Sequence, residues 1–120
     1  MILIIGGAWQ GKLEFAKETF GITDADVFIC TCGEIDFSKR CIYCAEEFAL
    51  HHPDPIGYLE GHRALWQDSV IILRDMFCGV VPCNAEDRAW RQKTGRLAQY
   101  LGREAEHVSR IFCGLEQRLK

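Results

Sequence analysis

The sequence predicts an α/β domain whose mostly parallel sheet carries helices on both faces. Three observations predict it. Short, continuous apolar runs recur along the chain, as in strands buried on both faces. Segments of helical periodicity alternate with them, which makes a parallel sheet the default. The first run also leads directly into a glycine-rich turn and then a helix. With 120 residues and 48% hydrophobic content, residues 1–120 suffice for one core and are read as a single domain.

The elements follow in order. Ile2–Ile5 is an apolar run bounded by Gly6-Gly7 and reads as the first strand. From Gly11, Leu13, Ala16 and Phe20 alternate with Lys12, Glu14, Lys17 and Glu18, the pattern of an amphipathic helix that Gly21 stops. Asp26–Cys30 reads as a second strand, and Cys41–Leu50 as helix. His51-His52-Pro53-Asp54-Pro55 is a break, because two prolines forbid continued helix. Tyr58–Trp66 suits another helix. Ser69–Leu73 is a third buried strand, ending in Arg74-Asp75.

Val80-Val81-Pro82 leads into the longest helix, over residues 84–104. Asn84 is its expected N-cap, and Glu86 and Asp87 suit the positive end of the helix dipole. Trp90, Thr94, Leu97 and Leu101 form its core stripe, with Arg88, Gln92, Gly95 and Gln99 opposite. A glycine inside a helix costs about 1 kcal/mol against alanine, so Gly95 points to a close contact with a ligand or a second subunit. His107–Cys113 reads as a fourth strand and Gln117–Leu119 as a last edge strand.

The strongest motif lies at the end of the first strand. Gly6-Gly7-Ala8-Trp9-Gln10-Gly11-Lys12 fits G-x-x-x-x-G-K. Its glycines let backbone N–H groups turn inward around a phosphate, the helix N-terminus adds its dipole, and the lysine reaches the β/γ-phosphates. The strand before and the helix after are the context this motif needs. The expected fold is therefore of the P-loop NTPase type, with ATP or GTP held by residues 6–12. Lys12 is the expected catalytic cation, with Arg88, Arg91 or Arg96 as a possible second. Leu13 stands where a hydroxyl normally binds Mg²⁺. Asp75, directly after the third strand, is the candidate metal-binding and catalytic carboxylate, and Arg74 could pair with it or face phosphate.

Two stretches together resemble a known family. One is Ile2–Lys12. The other is Cys78-Gly79-Val80-Val81-Pro82, followed by Arg88, Trp90-Arg91, Gly95-Arg96 and Gln99, and closing with Phe112-Cys113-Gly114 and Leu119-Lys120. This pattern resembles the bifunctional adenosylcobinamide kinase/adenosylcobinamide-phosphate guanylyltransferase family of cobalamin biosynthesis. The resemblance implies phosphorylation of a corrinoid side-chain hydroxyl by ATP or GTP, with Mg²⁺, in a homo-oligomer, a trimer in that family. It also implies GMP transfer through a guanylylated histidine, for which His51 and His52 are the candidates. Asp75 would sit where the family has a glutamate. The chain is shorter than the usual member, and the missing length falls between the second strand and Ser69. If Arg40–Leu50 is the family's next strand–helix segment, both histidines come too late to be the nucleophile.

Bulk properties narrow the partners. A net charge of −3 gives no electrostatic footprint for nucleic acid. No run approaches the roughly 20 apolar residues of a membrane span. Met1–Ile5 has no basic region before it and is too short for a signal peptide, so a cytoplasmic protein is expected. Seven cysteines cannot all pair internally and are read as reduced thiols. Two rival functions stay open. Cys30, Cys32, Cys41 and Cys44 could offer four thiolates to zinc. Alternatively, Leu13 could mark a nucleotide-binding or regulatory protein without turnover.

Overall fold

The computed structural model describes residues 1–76 and 81–120. The strands are β1 (Ile2–Gly6), β2 (Val27–Ile29), β3 (Cys41–Tyr43), β4 (Val70–Arg74), β5 (His107–Phe112) and β6 (Leu115–Arg118). The helices are α1 (Lys12–Phe20), α2 (Ala45–His51), α3 (Pro55–Gly61), α4 (Arg63–Trp66) and α5 (Ala85–Glu104). One six-stranded sheet runs in the order β2-β3-β4-β1-β5-β6. Its first five members are parallel, and β6 turns back antiparallel on β5.

Alternation along the strands divides the core in two. Leu3, Ile42, Ile71 and Leu73 face α2, α4 and α5, where Phe48, Trp66, Leu97 and Leu101 complete the larger cluster. Ile4, Cys41, Val70 and Ile72 face the other way, against Ala16 of α1. Both faces of the central strands are therefore covered, which is why those strands read as unbroken apolar runs.

The connections set the position of the functional end. From β1 the chain passes through α1 to β2, at the edge of the sheet. From β3 it returns through α2–α4 to β4, and α5 then carries it past β1 to β5. The links leaving β1 and β4 thus run in opposite directions. Between the carboxyl ends of two such strands lies the crevice where α/β sheets bind ligands.

Several elements differ from expectation. Cys41–Tyr43 is a strand and not the start of a helix; the helix begins at Ala45. Three residues are too few to show a period, and pairing with β2 and β4 decides their conformation. Pro55 begins α3, capped by Asp54, whose Oδ1 accepts from the Gly57 N–H at 3.1 Å. The last strand starts earlier than expected, at Leu115. Cys113 (φ 52°) and Gly114 (φ 75°) form the two-residue hairpin turn before it. The expected α5 is present with its Asn84 cap, and Thr94, Leu97 and Leu101 are buried as the stripe requires. Val80 of the expected lead-in, with Cys78 and Gly79 of the resemblance, lies outside the described residues. No described helix is long and apolar enough to cross a membrane.

Thr94 offers a direct stability test. Its hydroxyl is fully buried and has no hydrogen-bond partner among the described residues. An unsatisfied buried polar group is unfavourable, so the near-isosteric Thr94→Val is expected to stabilise the fold by about 1 kcal/mol. A lower urea midpoint for the variant would refute this.

Candidate functional site

The Gly6–Lys12 loop joins the end of β1 to the start of α1. Gly6 ends β1 under the backbone of β5, and a Cβ there would lie 2.5 Å from the Ile111 carbonyl oxygen, so no other residue fits. Trp9 (φ 63°) and Gly11 (φ 93°) are left-handed, which curls the chain back on itself. Gly11 is the N-cap of α1 and has no side chain to satisfy the first N–H groups of the helix. Gln10 ties the loop to the β5–β6 turn. Its Oε1 accepts from the Cys113 N–H at 2.6 Å, and its carbonyl accepts from the Gly114 N–H at 3.0 Å.

Lys12 lies inside this loop, 7% exposed, and its Nζ donates to the Gly7 carbonyl at 2.6 Å. Burial holds its pKa below the ordinary lysine value, while the Glu46 carboxylate pulls the other way. A cavity of about 190 Å³ opens beside it, bordered by Ala8, Trp9, Tyr43, Cys44, Glu46, Ile72 and Arg74. The cavity lies where the carboxyl ends of β1, β3 and β4 meet, at the crevice that the connections predict.

Glu46 organises the far wall. It is 4% exposed, in the first turn of α2. Its Oε2 accepts from the Arg74 backbone N–H at 3.0 Å, and its Oε1 lies 3.9 Å from Arg74 Nε. Its carbonyl accepts from Trp90 Nε1 at 2.7 Å, and the Arg74 guanidinium lies over the Trp90 ring at 5.8 Å. Cys44, which caps α2 in a left-handed conformation (φ 63°), borders the same cavity. Two cations and one carboxylate thus share a small, partly enclosed space, an arrangement with a net affinity for anions.

The other candidates are distributed unevenly. Asp75 follows Arg74, and its N–H donates to the Gly6 carbonyl at 2.8 Å, which sets its backbone beside the first residue of the loop. Leu13 packs into the α1 side of the core. Arg88 folds onto the turn before its own helix, donating to the Pro82 and Cys83 carbonyls. Arg96 is exposed, and Arg91 is half-buried. His51 and His52 stand at the opposite end of α2 from Glu46, about 9 Å along the axis. The His52 ring packs against Phe48 and Tyr58, and its Nδ1 accepts from the Asp54 N–H at 2.9 Å. The strand–helix reading of Arg40–Leu50 is the one the fold adopts. Gly95 borders a shallow apolar groove with Leu3, Ala98, Val108 and Leu119.

The four cysteines of the zinc alternative do not converge. Cys30 is buried in the cluster under α2 and α5, Cys41 in the cluster under α1, and the sheet lies between them. Among the described residues no group of three or more His, Cys, Asp or Glu side chains could hold a metal ion. Burial instead pushes the Cys30 thiol up to about 12 and the Cys41 thiol up to about 11. Both stay protonated in the folded chain at pH values where an unfolded thiol, near 8.5, has ionised. The folded state then holds more protons than the unfolded one. Stability is therefore complete below about pH 8.5 and is lost as pH rises toward about 11, by up to about 1.4 kcal/mol per pH unit for each thiol. Thermal unfolding between about pH 8 and about pH 10.5 should follow this decline. Cys30→Ala should make it shallower; an unchanged slope would remove the Cys30 thiol as a cause.

Glu46 is the residue that sequence reasoning missed. The signal that points to it, an acid soon after a buried strand, is hidden because Cys41–Tyr43 reads as helix.

No protein-family model matches the chain, and no curated protein matches it.

Proposed function

We propose that the chain binds a nucleoside triphosphate at the Gly6–Lys12 loop and transfers its terminal phosphoryl group to a hydroxyl of a corrinoid side chain. One observation carries the binding half. Lys12 is buried inside a left-handed glycine loop at the junction of β1 and α1, with Arg74 and Glu46 across one cavity. This supports a P-loop NTPase-type fold for the sheet and its first helix. The corrinoid acceptor rests on the resemblance of Ile2–Lys12 and of residues 78–120 to the adenosylcobinamide kinase family.

Phosphoryl transfer needs mainly positioning and charge stabilisation. Lys12 exchanges its bond to the Gly7 carbonyl for phosphate oxygens. Arg74 adds a second cation, held in place by Glu46 and by the Trp90 ring. The loop N–H groups and the open end of α1 orient the chain of phosphates. Mg²⁺, when bound with the nucleotide, supplies further neutralisation of phosphate charge. It commonly takes only one or two carboxylates, with waters and phosphates completing its shell. Glu46, in the cavity, would hold it through water; the Asp75 backbone lies beside Gly6, and Leu13 contributes no hydroxyl. GMP transfer is not proposed, because His51 and His52 lie at the far end of α2 from the cavity.

Calorimetric titration with ATP and GTP, with and without Mg²⁺, tests the binding half. Binding that strengthens with Mg²⁺ supports it and justifies an assay of adenosylcobinamide phosphorylation. Binding without turnover would favour the regulatory reading that Leu13 suggests. No binding of either nucleotide would overturn the proposal. The trimer that the resemblance implies is tested by sedimentation, against a monomer of 13.7 kDa.

A further inference from the structure

Trp9 is 99% exposed, although it sits in the middle of the loop that the proposed function makes central. A bulky side chain at positive φ is a conformational outlier, since glycine or asparagine fills such positions without strain. The exposure does not come from a loose segment. Gln10 is held on both its side chain and its carbonyl by the β5–β6 turn, and Lys12 is tied back to Gly7. A rigid loop therefore presents a large, flat, apolar ring to solvent.

The ring's place is informative. Trp9 borders the cavity that contains Lys12, Glu46 and Arg74, and it also borders a second cavity of about 320 Å³ lined by Gly11, Lys12, Glu14 and Tyr43. Trp9, Lys12 and Tyr43 are common to both. A ligand whose anionic end meets Lys12 in the first cavity can extend past Trp9 into the second. The part that extends there meets a lining that includes the Trp9 indole and Tyr43.

We infer that Trp9 is the stacking platform for the nucleobase of the bound nucleotide. The inference rests on the proposal that the loop binds phosphates, and names what holds the remainder of the ligand. Every base has a π-face, so stacking on indole is strong but tolerant of base identity. No set of base-edge acceptors and donors is needed, and ATP and GTP bind with similar affinity. Trp9 sets preference for a nucleotide over a bare polyphosphate and leaves phosphate capture to Lys12.

The test compares ATP, GTP and inorganic tripolyphosphate by calorimetry, each with Mg²⁺, on the parent chain, Trp9→Ala and Trp9→Phe. The parent is expected to bind both nucleotides more tightly than tripolyphosphate. Trp9→Ala should lose about tenfold or more of nucleotide affinity, as expected for one stacked base, while its tripolyphosphate affinity stays unchanged. Trp9→Phe should recover most of the loss. Equal weakening of all three ligands in Trp9→Ala would mean that the tryptophan only shapes the loop, and would overturn the inference while leaving phosphate binding intact. Unchanged nucleotide affinity would overturn it equally and leave the exposed ring to some other contact. Failure of all three ligands to bind the parent chain would overturn the loop proposal itself and the inference with it.

Discussion

Lys12→Ala is expected to weaken ATP and GTP binding by at least about a hundredfold, to abolish phosphoryl transfer, and to leave the melting temperature nearly unchanged. The affinity loss follows from the place of the ammonium group. It lies in a partly enclosed cavity, where a charge-assisted bond to phosphate is far stronger than in water, and a hundredfold corresponds to about 3 kcal/mol. Turnover falls further, because Lys12 is the cation nearest the loop that would meet the charge of the transferring group. The fold survives for an equally specific reason. In the free protein Lys12 is desolvated and, among the described residues, its hydrogen bond is to a loop carbonyl, while Glu46 keeps its contacts with Arg74. Calorimetry and thermal unfolding on one preparation check both parts. A variant that binds nucleotide as tightly as the parent would end the phosphate-loop interpretation. One that fails to fold would place Lys12 among the structural residues.

Glu46→Ala is expected to have the opposite signature, a large stability loss of about 2–3 kcal/mol. The substitution leaves the Arg74 N–H without its acceptor and two cations facing one cavity without a counter-charge. The figure stays below that of a fully buried ion pair, because the Arg74 side chain is 38% exposed and water screens it. For a chain of this size the melting temperature should fall by about 10 °C. Glu46→Gln keeps an acceptor for Arg74 and should recover at least half of the loss. Glu47→Ala is the control from the same helical turn. Its only ion-pair partner among the described residues is His51, at 4.0 Å across a largely solvated surface, so its cost should stay within about 0.5 kcal/mol. If Glu46→Ala costs no more than this control, the cavity wall is held by something other than Glu46.

The two substitutions differ in how visible their residues were. Lys12 belongs to a contiguous motif, and each neighbour in it has a local reason: the buried strand before it, the glycines at turning points and the helix after it. The α5 cap at Asn84 and the stripe through Thr94, Leu97 and Leu101 were legible for the same reason, since twenty residues repeat a period many times. Glu46 belongs to no contiguous pattern. It becomes a site residue only because β3 pairs with β4, and β3 has three residues, with no period of its own. The cysteines mislead in a related way. Cys30, Cys32, Cys41 and Cys44 lie close in sequence at spacings that suggest a metal. The strand pleat nevertheless sends Cys30 and Cys41 into cores on opposite faces of the sheet.

Periodicity and backbone freedom over a few adjacent residues suffice to specify the alternation of strands and helices, the mostly parallel sheet, and the glycine loop with its lysine. Long-range pairing and packing settled the strand order, and with it the crevice between β1 and β4. They also settled the assembly of Lys12, Arg74 and Glu46 around one cavity and the presentation of Trp9 to solvent. Those features depend on which distant segments pair and pack, and no local pattern encodes the partner of a three-residue strand.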